Sequence, residues 1–151
     1  MFIENPPENE VPIWYRRAVL RDNLTDIFHR NLKRSKITPE SHPKVLELFA
    51  GDGPLADELH QLGWRDITCV DRAKSPDPIA PKDTQWLYIN LWSTAFGLKT
   101  GNDISKLESM RNRYNIVTAT FAIDETVIMS HRDIDALCDF FLAENGFKFI
   151  V

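Results

Sequence analysis

A short apolar run that breaks into glycines, leads into a helix signal and is followed by a second apolar run ending in an acid constrains this chain more than any other feature. It occupies residues 44–72, KVLELFAGDGPLADELHQLGWRDITCVDR. Val45, Leu46, Leu48 and Phe49 read as a strand, and Ala50-Gly51-Asp52-Gly53 as the turn that ends it. Pro54 opens a helical pattern with Leu55, Leu59 and Leu62 on one face and Gly63 as its stop. Residues 67–70 form the second apolar run, closed by Asp71. Strand, glycine turn, helix, strand and acid, in that order, describe half of a nucleotide-binding βαβ unit.

The residue types suit that chemistry. Gly51 and Gly53 lack a Cβ, so the turn at Asp52 can take unusual backbone angles and a ligand can lie against the main chain. The helix that follows offers unpaired N–H groups and a partial positive charge at its start, which suit a carboxylate or a phosphate. Asp71, eighteen positions after Gly53 and followed by Arg72, stands where an acid accepts hydrogen bonds from two ribose hydroxyls. The pocket is one for an adenosine-containing ligand.

Gly51-x-Gly53-x-x-Ala56 also fits a dinucleotide fingerprint, so a nicotinamide-dependent (NAD) oxidoreductase is one reading. Glu47, an acid inside the first strand four positions before Gly51, argues against it. A buried carboxylate is costly unless bonded, a nearby pyrophosphate repels it, and a nearby amino group favours it. With Glu47-Leu48-Phe49-Ala50-Gly51-Asp52-Gly53, the sequence resembles the class I S-adenosylmethionine-dependent methyltransferases, whose first motif is an acid, three residues and Gly-x-Gly. The resemblance spans residues 44–151 and implies a Rossmann-like open, mostly parallel α/β sheet of order 3-2-1-4-5, with S-adenosylmethionine at the carboxyl ends of strands one to three. It implies Glu47 near the methionine amino group, Gly51, Asp52 and Gly53 as the backbone approach, Asp71 and Arg72 at the ribose, Asn90 and Leu91 at the adenine, and Thr120 facing the methyl group. It also implies a sheet of seven strands, of which this sequence covers five; the last two would be a hairpin beside the fifth.

Elsewhere the sequence is less specific. At 151 residues and 43% hydrophobic content it is one globular domain with enough material for a core. A net charge of −4 gives no global field for nucleic acid, although a local basic patch is compatible with it. Cys69 and Cys138 have neither metal nor redox spacing and read as reduced core thiols. No signal-peptide pattern or spanning apolar run is found, so no membrane association is expected and the cytoplasm is the expected compartment. Residues 1–13 read as an extended arm and 14–151 as the cofactor-binding domain. Asn5-Pro6-Pro7-Glu8 precedes the cofactor motif and lacks the aromatic of an Asn-Pro-Pro-aromatic loop, so it is not assigned a catalytic role.

Residues 14–34 have helical periodicity; the resemblance implies a helix that covers the cofactor, from which Tyr15, Arg16 or Arg17 would reach its carboxylate, but a solvated basic face is the preferred reading. Residues 35–43 are a linker, and 72–81, with three prolines, replace an expected helix by an irregular stretch. Residues 85–89 are the third strand, with Trp92 or Phe96 as candidates to stack on a base. A charged helix at 104–113 precedes the most apolar run, 114–122; it resembles the family's fourth strand and the loop after it, which implies that Thr120 and Phe121 face the methyl group. Asp124, Glu125 and His131 are candidate general bases, but Ser130 with Asp133 also reads as an ordinary helix start, and no catalytic residue is assigned. Asn145-Gly146 should stop that helix and 147–151 begin a fifth strand. An apolar fifth strand at the sheet edge calls for cover, from a longer parent chain, a second copy or a partner. The expected function is methyl transfer to an unidentified acceptor, with a non-catalytic domain for partner binding or cofactor sensing as the alternative.

Overall fold

The computed structural model describes residues 25–72, 74–89, 91, 101–119 and 131–150. Their elements, in chain order, are α1 (Thr25–Arg34), β1 (Val45–Leu48), α2 (Pro54–Gln61), β2 (Ile67–Asp71), β3 (Gln85–Tyr88), α3 (Gly101–Ser109), β4 (Tyr114–Ala119), α4 (His131–Phe141) and β5 (Leu142–Ile150). The strands make one parallel sheet in the order β3-β2-β1-β4-β5. This is the open Rossmann-like α/β arrangement expected from the sequence.

Two apolar clusters, one on each face, hold the sheet between helices. One face carries Val45, Ile67, Cys69, Ile116 and Phe149, covered by Phe28 and Leu32 of α1 and Leu55, Ala56 and Leu59 of α2. The other carries Leu46, Leu48, Val70, Val117 and Ala119, covered by Leu107 of α3 and Ile134, Leu137, Cys138 and Phe141 of α4. Every residue of β1 is buried, which is why that strand reads as a nearly continuous apolar run. The covering helices change sides between β1 and β4, which makes the carboxyl ends of these two strands the topological switch point, the place where open α/β sheets take their ligands.

Local chemistry fixes α2. Pro54 supplies a pre-set φ at the first helical position, where its missing N–H is no loss. At the other end Gly63, at φ +101°, donates to the carbonyl of His60, and the Trp64 N–H reaches that of Leu59. That pair of bonds is a Schellman motif, and it stops the helix where Gly63 was expected to. Leu62 is the C-cap, however, and lies 47% exposed rather than on the buried face.

The β2-to-β3 connection contains no helix between residues 74 and 84, as the prolines predicted. This strap runs along α2 instead. Its Ile79 and Ala80 N–H groups donate to the Asp52 carbonyl at 2.7 and 3.1 Å, and Asp83 lies 3.8 Å from His60 in the last turn of α2.

The far edge differs from expectation. The helix ends at Phe141, not at Asn145-Gly146, because Leu142 already pairs with Tyr114. Residues 143–146 then stand opposite Asn115 alone, and Asn145 takes φ +61° to bring Phe147 into register with Ile116. Lys148 of β5 ties the edge to α4 through Asp135 at 2.7 Å and Asp139 at 2.8 Å.

Candidate functional site

The site is built at the carboxyl ends of β1 and β2. Strand alternation turns Glu47 toward the α2 face, in register with Cys69 on one side and Thr118 on the other. Leu48 turns to the opposite face, and Phe49 should return to the first. It does not: Phe49 takes φ +56° and packs with Leu48 against the α4 side. A left-handed phenylalanine is held at a cost of roughly 1–2 kcal/mol, and strain of this kind concentrates at functional turns.

Glu47 is 1% exposed. Its Oε2 lies 3.7 Å from the Cys69 thiol, and its carboxyl also accepts from the Ala56 N–H in the first turn of α2. Burial pushes its pKa up to about 8, and the nearby Asp71 carboxylate adds to the rise. No cation among the described residues pairs with it. The same burial pushes the Cys69 thiol up, so this thiol is not a nucleophile at neutral pH.

Asp71 sits at the tip of β2 and is partly exposed. Its Oδ2 accepts from the Gly51 N–H at 2.7 Å, and its Oδ1 accepts from the Arg72 N–H at 2.7 Å. The acid thereby fixes the glycine turn. Each oxygen keeps a second lone-pair direction, which is what a pair of ribose hydroxyls needs. Tyr88, in register with Asp71 and 40% exposed, stacks on Trp86 with ring centroids 6.1 Å apart and planes 7° apart. This aromatic surface beside the acid was not anticipated; the period-2 placement of Trp86 and Tyr88 was its only signal.

The glycine turn is more committed to its own chain than expected. Gly53 has φ +82°, and a Cβ there would lie 2.5 Å from the Cβ of Ala80 in the strap. Its missing side chain makes room for Ala80. Asp52 accepts from the Ser75 hydroxyl through its side chain and from Ile79 and Ala80 through its carbonyl.

Of the residues expected at the cofactor, Glu47, Gly51, Asp52, Gly53 and Asp71 are brought together around this turn, with the Arg72 backbone joined to Asp71. Leu91 is 3% exposed and packs in the α4-side cluster. Asn90 and Thr120 lie outside the described residues, as do Trp92, Phe96, Phe121, Asp124 and Glu125, the segment before Thr25 and the side chain of His131. Among the described residues no group of three or more His, Cys, Asp or Glu side chains is placed to hold a metal ion, and no helix is long and apolar enough to cross a membrane. A scan against protein-family models finds no match, and searches of curated proteins and of solved structures find none either.

Proposed function

We propose that this chain binds S-adenosylmethionine across the carboxyl ends of β1 and β2 and serves as a cytoplasmic methyltransferase domain. The observation that carries the reading is the pair of acids around one glycine turn: Glu47, buried with no cation beside it among the described residues, and Asp71, with a lone-pair direction open on each oxygen. An ammonium group meets the first and a ribose diol the second. A pyrophosphate beside Glu47 would oppose the ionisation that an amino group favours, which disfavours a dinucleotide, whereas Asp71 suits the ribose of either ligand.

The residues present fit the group. Glu47 would hold the amino end, the turn at Gly51 would lie along the chain of the ligand, and Asp71 would fix the ribose. When bound, the cofactor supplies a methyl on a sulfonium, a leaving group good enough for direct displacement. The protein's task is then alignment of the acceptor, and no covalent residue is required.

One observation favours a second reading, a non-catalytic domain of the same fold. The strap already fills the space at Gly53 and engages Asp52, so part of the turn is taken by the chain itself.

Calorimetric titration with S-adenosylmethionine, S-adenosylhomocysteine and NAD separates these readings, using the native chain and Asp71→Asn. Asparagine keeps an acceptor for the Gly51 N–H and gives up the bond from the Arg72 N–H, so the variant tests the ribose contact with the link to the glycine turn kept. Both adenosine thioethers should bind, and the variant should lose about tenfold or more, on the order of 1.5 kcal/mol. Binding of NAD alone refutes the reading of Glu47. Binding of none of the three favours the non-catalytic domain.

A further inference from the structure

The register of the sheet lays one row of side chains across the α2 face: Trp86, Cys69, Glu47, Thr118 and Phe149. Glu47 and Thr118 are neighbours in that row, and they stand on the two strands, β1 and β4, between which the covering helices change sides. They are one residue short of the carboxyl ends, where Leu48 pairs with Ala119. The row is apolar at its flanks and polar at its centre.

Thr118 is fully buried, and its Oγ1 has no hydrogen-bond partner among the described residues. A buried hydroxyl without a partner opposes folding. Valine has the same shape, suits a central strand at least as well and carries no polar atom. The fold alone therefore gives no reason for a hydroxyl here. Glu47 leans to the other side, toward Cys69 and the Ala56 N–H, so the two polar groups do not satisfy each other. An ammonium group has three donors and needs more than one acceptor.

Resting on the reading above, we propose that Thr118 is a binding residue of this site, its hydroxyl accepting from the ligand's protonated amino group on the β4 side while Glu47 meets it from β1. The pair selects ligands that carry an amino acid end over those that end at the thioether.

The test compares S-adenosylhomocysteine with methylthioadenosine, which lacks the amino acid end, on the native chain, Thr118→Val and Thr118→Ser. The native chain should prefer S-adenosylhomocysteine. Thr118→Val should lose about tenfold in affinity for it, the size of one hydrogen bond to a charged group. Its affinity for methylthioadenosine should be unchanged, and its unfolding midpoint without ligand unchanged or higher. Thr118→Ser, which restores the hydroxyl, should restore the preference. Equal affinity of Thr118→Val and the native chain for S-adenosylhomocysteine overturns the proposal. So does a lower midpoint with both ligands weakened alike, which would make the hydroxyl structural. If the native chain binds neither ligand, the cofactor reading itself falls, an outcome distinguishable from the other two.

Discussion

Replacing Glu47 by glutamine should remove most of the pH dependence of stability between pH 6.5 and 8. Glu47 is held at a pKa of about 8 in the fold, against an ordinary value of 4.5. Its folded pKa is raised, so the stability it contributes is complete below pH 4.5 and is lost as pH rises through about 8. Within that interval the unfolded chain gives up a proton that the folded chain retains. At 1.36 kcal/mol per pH unit this amounts to about 2 kcal/mol between pH 6.5 and 8, and on the order of 5 kcal/mol over the whole range. Other groups act mainly outside the chosen window. His29, whose pKa burial lowers, destabilises the fold mainly as pH falls through 6.5, and its effect has the opposite sign to that of Glu47. The thiols of Cys69 and Cys138 and the Tyr114 phenol are all pushed up by burial, and their unfolded counterparts ionise mainly above pH 8. Glutamine matches the neutral carboxyl in shape and keeps an acceptor for the Ala56 N–H, so the two proteins should be closest at pH 6.5. Urea unfolding of both at pH 6.5 and 8 measures the difference. Parallel profiles for the two proteins would refute the reasoning, because they would mean that Glu47 is already ionised in the fold.

Two further predictions concern the strap. Gly53→Ala should cost roughly 2–5 kcal/mol, combining a left-handed backbone with a Cβ driven into Ala80; adding Ala80→Gly should recover the part due to the clash, and a single variant as stable as the native chain in urea would refute the contact. Ser75→Ala removes the hydroxyl that binds Asp52, so it should cost about 1 kcal/mol and speed limited proteolysis within residues 74–78; cleavage at the native rate would show that the backbone bonds of Ile79 and Ala80 alone hold the strap.

The parts of this fold legible in the sequence are those that local chemistry decides. The apolar runs of β1 and β2, Pro54 at the start of α2, Gly63 beyond its end and the prolines of 72–81 each act on their own neighbourhood, and each lies where the pattern put it. The parts not legible depend on distant residues. Asn145-Gly146 carries the chemistry of a helix stop, yet pairing of Leu142 with Tyr114 ends α4 at Phe141 and leaves those two residues in the irregular pairing of β5. Leu62 fits the apolar spacing of α2, but the turn of the Schellman motif carries it outward. At the site the acids and glycines were identifiable by type and spacing. That Asp71 would accept from Gly51, that Gly53 would make room for Ala80 and that Phe49 would take a left-handed conformation were not, since each follows from where another strand or the strap comes to rest.

The sheet order has a consequence for how the molecule comes into being. Lys44, beside the first strand, bonds to Asn115, 71 positions later, and the ladder between β1 and β4 closes over that span. Contacts so remote in sequence carry a large loop-closure cost and slow a folding reaction. On the ribosome, β1, α2, β2 and β3 can associate while the second half is still being synthesised, since their pairings are local by comparison. At that stage Asp71 and the glycine turn are already made, but Thr118 has not reached the sheet and the wall on the β4 side of Glu47 is missing. The proposed site is therefore among the last features to assemble, and a nascent chain would present half of it, open on one side, until β4 docks.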